Sequence, residues 1–167
     1  MPIETCDPVE ALNKALCLEQ EGEQFYSRAA ARTVDPKGAA MFRSLADDER
    51  AHAQIIQSRM DALERGEEWV VPECVLACNP SLTEPLFPRG EAEFQKAVRS
   101  DASGLDALLF ALKTENDAYH MYADQAQAAN DLVTLRMYQY LADAERTHFD
   151  LLMLNYESLN QSAGWVD

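Results

Sequence analysis

Hydrophobic residues recur along this chain in alternating steps of three and four, which is the spacing that lines one face of an α-helix. Four segments show this pattern, and ionisable residues interrupt each of them near its middle. The predicted core positions, segment by segment, are Leu12, Leu16, Glu19, Glu23, Tyr26 and Ala30; Phe42, Leu45, Glu49, His52, Ile56 and Leu63; Leu108, Leu112, Glu115, Tyr119, Tyr122 and Ala126; and Tyr138, Leu141, Glu145, His148, Leu152 and Leu159. The pattern predicts an all-α fold.

Helix-start signals divide the four segments into two pairs. Asp7-Pro8-Val9-Glu10 has the form of a capping box with proline at the first helical position, and Ser103-Gly104-Leu105-Asp106 is its weaker counterpart. The first helix of each pair should end near residue 32 or 128. Asp35-Pro36 and Asn130-Asp131 then start the second helices, which should end near Gly66 and residue 161.

The two pairs are copies of one another. A shift of 96 positions aligns residues 7–64 with residues 103–160 without a gap, and 16 of these 58 positions are identical. Shared helical composition explains several alanine and leucine matches, but not glutamate, tyrosine, aspartate, arginine and histidine at one fixed offset. The sequence therefore indicates an internal duplication.

The segment between the two copies has a different character. It contains four prolines and several glutamates, and a short helix is expected around Glu91–Val98. The length of the whole segment far exceeds that of a tight helix–helix turn. We therefore predict one domain over residues 1–167, an antiparallel four-helix bundle with a hairpin at 7–65, a long crossover at 66–103 and a second hairpin at 104–161.

Composition and charge narrow the range of partners. Acidic residues outnumber basic ones 29 to 14, giving a formal charge of −15, which opposes binding to nucleic acid or anionic lipid. No apolar run reaches the length of a membrane span, and the amino terminus lacks the features of a secretory signal. Four scattered cysteines do not form a disulfide framework. We expect a cytoplasmic protein.

Carboxylates and histidines at the centre of the predicted seams carry the chemistry. Two motifs, Glu49-Arg50-Ala51-His52 and Glu145-Arg146-Thr147-His148, each place an oxygen and a nitrogen ligand on one helix face, because residues three apart are neighbours there. Glu19 and Glu115 occupy the partner helices. Four carboxylates and two imidazoles form the ligand set of di-iron and di-manganese carboxylate bundles. Two divalent cations would balance the four negative charges, and carboxylate and imidazole donors suit iron, manganese or zinc better than copper(I).

The sequence resembles the rubrerythrin branch of the ferritin-like superfamily over both hairpins. The matching stretches are Ala15-Leu-Cys-Leu-Glu19-Gln-Glu-Gly22-Glu-Gln-Phe25-Tyr26, Leu45-Ala-Asp-Asp-Glu49-Arg-Ala-His52, Ala111-Leu-Lys-Thr-Glu115-Asn-Asp-Ala118-Tyr-His-Met-Tyr122 and Leu141-Ala-Asp-Ala-Glu145-Arg-Thr-His148. The resemblance implies a ferritin-like bundle in which Glu19 and Glu115 are terminal ligands, and Glu49 and Glu145 bridge the metals. It also implies that His52 and His148 each supply one nitrogen ligand.

Two departures from the resemblance affect the expected activity. Rubrerythrins usually add a rubredoxin module with paired Cys-x-x-Cys motifs, which this sequence lacks, so an external electron-donor protein is expected. They also carry an extra glutamate linked to peroxide chemistry at the position of Ala118, so this departure argues against rubrerythrin-type peroxidase activity. Glu23 is a candidate fifth carboxylate, and the alternative is a hydrogen bond to a tyrosine across the bundle.

Other candidate residues support the ligands or lie apart from them. Tyr26 and Tyr122 share the seams with the ligands and are expected beside them as hydrogen-bond or redox partners, the alternative being plain core tyrosines. Asp48 is expected to support His148. His120 is expected at the surface. Arg50 and Arg146 should pair with acids on the outer face. For Cys74 and Cys78 the alternatives are a redox pair or a soft-metal site, and their spacing, which is not Cys-x-x-Cys, argues against both. Cys6 and Cys17 should be plain thiols.

Three functions fit this pattern. The leading one is a non-haem di-iron oxidoreductase that reduces peroxide or dioxygen. The second is an iron-oxidising, storage or buffering protein, and the third is a structural zinc bundle. Exposed apolar residues of the crossover should cover the bundle or meet a second subunit, so a homodimer or larger homo-oligomer is expected; they are Trp69, Val70, Val71, Leu86 and Phe87.

Overall fold

The computed structural model describes residues 7–78 and 105–166, which contain five helices and no β-strand. The helices are α1 (Pro8–Arg32), α2 (Pro36–Arg65), α3 (Glu73–Ala77), α4 (Asp106–Ala128) and α5 (Leu132–Asn160). The all-α prediction is confirmed, and the ends of the four long helices lie close to where the sequence signals placed them, except at the start of α4. The expected helix around Glu91–Val98 and the residues Leu86 and Phe87 lie outside the described ranges.

The chain divides after Leu76 into two compact units. In the first, α1 packs along α2, and in the second α4 packs along α5. The connections between paired helices are only a few residues long, so each pair forms a helical hairpin. Neither unit contains a helix long and apolar enough to cross a membrane, as far as the described ranges extend.

Aspartates cap three of the four long helices as their sequences predict. The Asp7 side chain accepts a hydrogen bond from the Val9 amide, and Pro8 occupies the first turn of α1. Asp35 accepts from two backbone amides at the start of α2, and Asp131 does the same for α5. These bonds satisfy amides that would otherwise lack a partner inside the helix.

The start of α4 differs from the expectation. The N-cap is Leu105, which makes no side-chain capping bond, and Ser103 lies outside the described residues. Leu105 is itself buried, so its side chain contributes apolar packing where a serine or aspartate would contribute a hydrogen bond.

Most of the predicted seam positions are buried in the cores of the two units; Leu16, Glu23 and Leu159 are half-buried, and Leu63 is exposed. Phe42, Leu45 and Ile56 on α2 are buried, whereas Leu63 is 40% exposed. Near the end of α2 the buried position falls at Ala62 instead. A straight helix drifts by about 20° per heptad against a strict seven-residue spacing, which turns Leu63 away from the core.

The first residues of the crossover fold back onto α2. Trp69 is buried, its indole Nε1 donates a hydrogen bond to Ser58 Oγ at 3.0 Å, and the Arg59 guanidinium lies 5.7 Å from the ring centroid. Trp69 therefore covers its own unit. Covering the helices is one of the two roles expected for the apolar residues of the crossover. Val70 beside it is 89% exposed.

Candidate metal centre

Three buried side chains converge in the first unit. Glu19 projects from α1, and Glu49 and His52 project from α2, one turn apart. His52 Nδ1 lies 3.3 Å from Glu19 Oε2 and 3.9 Å from Glu49 Oε2. The helical spacing of three residues places Glu49 and His52 on the face that packs against α1, so the triad follows directly from the hairpin.

The second unit repeats this arrangement with the matching residues. Glu115 projects from α4, and Glu145 and His148 project from α5. His148 Nδ1 lies 3.7 Å from Glu115 Oε2 and 3.5 Å from Glu145 Oε2. In both units the same imidazole nitrogen faces the two carboxylates, so the duplication extends to the geometry of the ligand atoms.

The two triads fit the requirements of a divalent metal ion. Their six residues are between 1% and 5% exposed. Within each triad the potential ligand atoms lie within 4.8 Å of one another. Ligands on one ion lie about 2.0–2.2 Å from it, and therefore at most about 4.4 Å apart, so small side-chain adjustments suffice to bind.

The chemistry of the donors supports the same conclusion. Each triad contributes two carboxylates and one imidazole, and burying such carboxylates without compensating charge is costly. A divalent cation offsets that charge, and oxygen and imidazole donors suit iron, manganese or zinc. The residues present therefore fit a bound metal.

The two candidate tyrosines lie in equivalent surroundings. Tyr26 and Tyr122 are both fully buried. Tyr26 stacks on Phe42 with ring centroids 6.1 Å apart, and Tyr122 stacks on Tyr138 at the same distance. Each tyrosine thus bridges the two helices of its own hairpin, and its part in the chemistry remains a prediction.

Glu23 lies beside an arginine. Its Oε1 accepts a hydrogen bond from Arg50 Nε at 2.8 Å, and Arg50 also donates to Asp47 at 2.7 Å. These two acids, Asp47 foremost, raise the pKa of Arg50 further above its usual range. The pairing of Arg50 with the outer acid Asp47 is as expected, whereas its pairing with Glu23 was not predicted. The fifth-carboxylate role of Glu23 remains a prediction.

Two further candidates lie in surroundings of opposite kinds. Asp48 is exposed on α2, and its support of His148 remains a prediction. His120 was expected at the surface, and that expectation is wrong: the side chain is only 7% exposed and its ring lies edge-on to that of Tyr119. The reason is that α4 buries a broader face than one seam, including Asn116 and Ala118.

Three of the four cysteines lie within the described residues. Cys17 and Cys74 are exposed, and Cys78 is partly buried. Glu21, by its charge and by accepting a hydrogen bond from the thiol, raises the pKa of Cys17. Cys6 lies outside the described residues.

Sequence reasoning missed one residue beside the ligands, Gly22. A Cβ placed on Gly22 would lie 3.3 Å from the carboxylate of Glu49. The available signal was a glycine in a helix interior, three residues after Glu19, because glycine is unfavourable there without a packing reason.

Comparisons with known proteins agree with this fold. The sequence model of a family described as Rubrerythrin matches residues 10–156. A hypothetical protein from Pyrococcus furiosus superposes with a TM-score of 0.70 and 22% identity, covering 98% of this chain and 97% of its own. A protein from Thermotoga maritima, assigned by its description to the ferritin-like diiron-carboxylate proteins, superposes with a TM-score of 0.62 and 22% identity. The match covers 92% of this chain and 95% of that protein. No curated protein matches significantly.

At this level of identity the structural likeness concerns the fold alone. It confirms the predicted fold class, a ferritin-like four-helix bundle, across nearly the whole chain. The family match covers most of the sequence and includes all six triad residues.

Proposed function

Because this chain belongs to the rubrerythrin family, we propose that it is a non-haem di-iron oxidoreductase that reduces peroxide or dioxygen with electrons from an external donor. The observation that carries the proposal is the pair of buried Glu–Glu–His triads, one in each hairpin. Their charge, burial and repetition are more than a structural core requires.

The six triad residues would hold the metal. Glu19, Glu49 and His52 supply the donors of the first hairpin, and the second hairpin supplies the matching three. When bound, iron supplies electrons and Lewis acidity. In each hairpin the imidazole presents Nδ1 to the carboxylates, which sets the nitrogen available to a metal.

The surrounding side chains control access and protons. Burial of the triads excludes bulk water, which strengthens electrostatic interactions inside the site. Tyr26 and Tyr122 are buried tyrosines that share the ligand-bearing faces of α1 and α4. We propose that they hydrogen-bond to ligand carboxylates or move an electron during reduction of the oxidant.

The electron donor is proposed to be a separate protein. The excess of acidic residues favours a donor with a basic docking surface, because complementary charge accelerates encounter. A cytoplasmic location and a homodimer or larger homo-oligomer complete the proposal. A monomer at micromolar concentration in light scattering would contradict the oligomer.

The direct test loads metal-free protein with ferrous iron under anaerobic conditions. We expect two irons per chain, rapid oxidation by peroxide or dioxygen, and repeated turnover when a reductant is supplied. A Glu49→Gln variant should lose iron, whereas Glu64→Gln, on the exposed side of the same helix, should not. Iron-loaded protein that is inert to both oxidants would contradict the proposal.

Iron handling is the second candidate, and stoichiometry separates it from catalysis. Storage requires many irons per chain and a large hollow assembly, so two irons per chain in a small oligomer would exclude it. A structural zinc bundle is distinguished by analysis of the protein from its native source. Zinc there, with no oxidant chemistry after iron loading, would favour the structural role.

A further inference from the structure

Gly22 occupies a position in α1 where a side chain would contact a metal ligand. A Cβ built on its backbone would lie 3.3 Å from Cγ, Cδ and Oε2 of Glu49. This separation is shorter than ordinary van der Waals contact, so Glu49 would have to move by a few tenths of an ångström. The Glu49 carboxylate therefore lies directly against the α1 backbone.

Glycine lowers the stability of a helix interior, so its presence at position 22 indicates that the space left by the missing Cβ has a purpose. Gly22 lies in the middle of a 25-residue helix. Glycine is the least favourable residue in helix interiors apart from proline. No turn or left-handed backbone requires it, because Gly66 and Gly164 are the described glycines with positive φ.

The second hairpin has a methyl group at the equivalent position. The shift of 96 residues that matches the two triads places Ala118 opposite Gly22, and Ala118 is buried in α4. The two halves share their ligands but differ here by one carbon atom. The extra space exists beside Glu49 and not at the matching position of the second hairpin.

We propose that Gly22 is a positioning residue for Glu49, because its missing Cβ leaves the space in which the Glu49 carboxylate reaches the geometry that binds metal. The inference rests on the proposed function, since it requires Glu49 to be a ligand. If the proposal is correct, metal binding by the triad of the first hairpin is sensitive to a single carbon atom added at Gly22. The second hairpin already carries the methyl group of Ala118 at the matching position. Gly22 acts through Glu49 and touches no substrate.

The test uses Co²⁺, whose visible spectrum reports coordination geometry, and compares the whole metal-free protein with two variants. In Gly22→Ala, one of the two Co²⁺ ions should bind at least about tenfold more weakly, the lower end of the loss expected when ligand support is altered. Its ligand-field bands should shift. In the matched control Ala118→Gly, both affinities should stay within about threefold of the parent.

Thermal unfolding of the metal-free proteins separates positioning from a damaged fold. Gly22→Ala improves helix propensity, and the neighbour it meets is the far end of a flexible side chain, so its midpoint should be equal to or above that of the parent. A lower midpoint together with lost helical content would assign the effect to the fold and overturn the positioning role.

A double-mutant cycle tests the mechanism itself. Glu49→Asp shortens the side chain by one methylene, so it should cost less Co²⁺ affinity in the Gly22→Ala background than in the parent. Additive losses, or unchanged Co²⁺ binding and spectrum in Gly22→Ala, would overturn the role of Gly22 and leave the proposed function intact. Failure of the parent protein to bind two Co²⁺ would overturn both.

Discussion

At the scale of single residues, Glu49 and Glu145 occupy matching positions in the two copies of the motif, and both are buried beside a histidine one turn away. If both are bridging carboxylates, Glu49→Ala and Glu145→Ala should weaken metal binding to a similar extent. The loss should exceed the 10–100-fold typical of residues that only support a ligand, since each change removes a ligand charge. Metal titration by calorimetry measures both. Two metals bound at unchanged affinity in either variant would refute symmetric bridging.

Cys17 offers a prediction about pH. The negative charge of Glu21 and its acceptance of the thiol hydrogen bond raise the Cys17 pKa. Because the thiolate is the reactive form, alkylation of Cys17 should begin at higher pH than for an ordinary cysteine. Glu21→Gln should lower the pKa and speed alkylation at pH 8, as followed by peptide mass spectrometry. Glu10→Gln, on the same helix, is the control, and equal rates in all three proteins would contradict the assignment.

At the scale of helices, the Glu23–Arg50 ion pair joins α1 to α2. Both side chains are partly exposed, so Glu23→Gln should lower the free energy of unfolding by only about 0.2–1 kcal/mol. We expect the variant to retain two metals, because the arginine already engages the carboxylate. Denaturant titration and metal analysis provide the two measurements. Loss of one metal would instead identify Glu23 as the fifth carboxylate.

The helices also show which features could be predicted from the sequence and which could not. Helix ends and the Glu-x-x-His pairs are local properties, set by caps such as Asp35 and by three-residue spacing. The helix ends were predicted correctly except at the start of α4, and the residues of each Glu-x-x-His pair are buried together as their spacing predicts. The burial of His120 and the exposure of Leu63 depend on how wide a face each helix buries. The partner of Glu23 and the space beside Gly22 depend on the neighbouring helix, so periodicity within one segment could not predict them.

At the scale of the whole molecule, metal binding and stability should be linked. A ligand that binds only the folded protein stabilises it by about 2.7 kcal/mol at one hundred times its dissociation constant. Metal removal by a chelator should therefore lower the thermal midpoint, and added Fe²⁺ or Zn²⁺ should raise it with concentration. A Glu49→Gln/Glu145→Gln double variant should show no such dependence. A midpoint that ignores metal in the parent protein would argue against the two triads as the binding site.

The packing of Trp69 against Ser58 and Arg59 makes folding of the first unit visible by fluorescence. The chain contains two tryptophans, Trp69 in the first unit and Trp165 in the second. Trp165→Phe leaves an emission signal from the first unit, and Trp69→Phe leaves one from the second. Exposure of the buried indole of Trp69 should shift its emission to longer wavelength on unfolding. Coincident transitions in the two variants would show that the duplicated hairpins unfold as one cooperative unit. Separated transitions would show that each hairpin folds independently of the other.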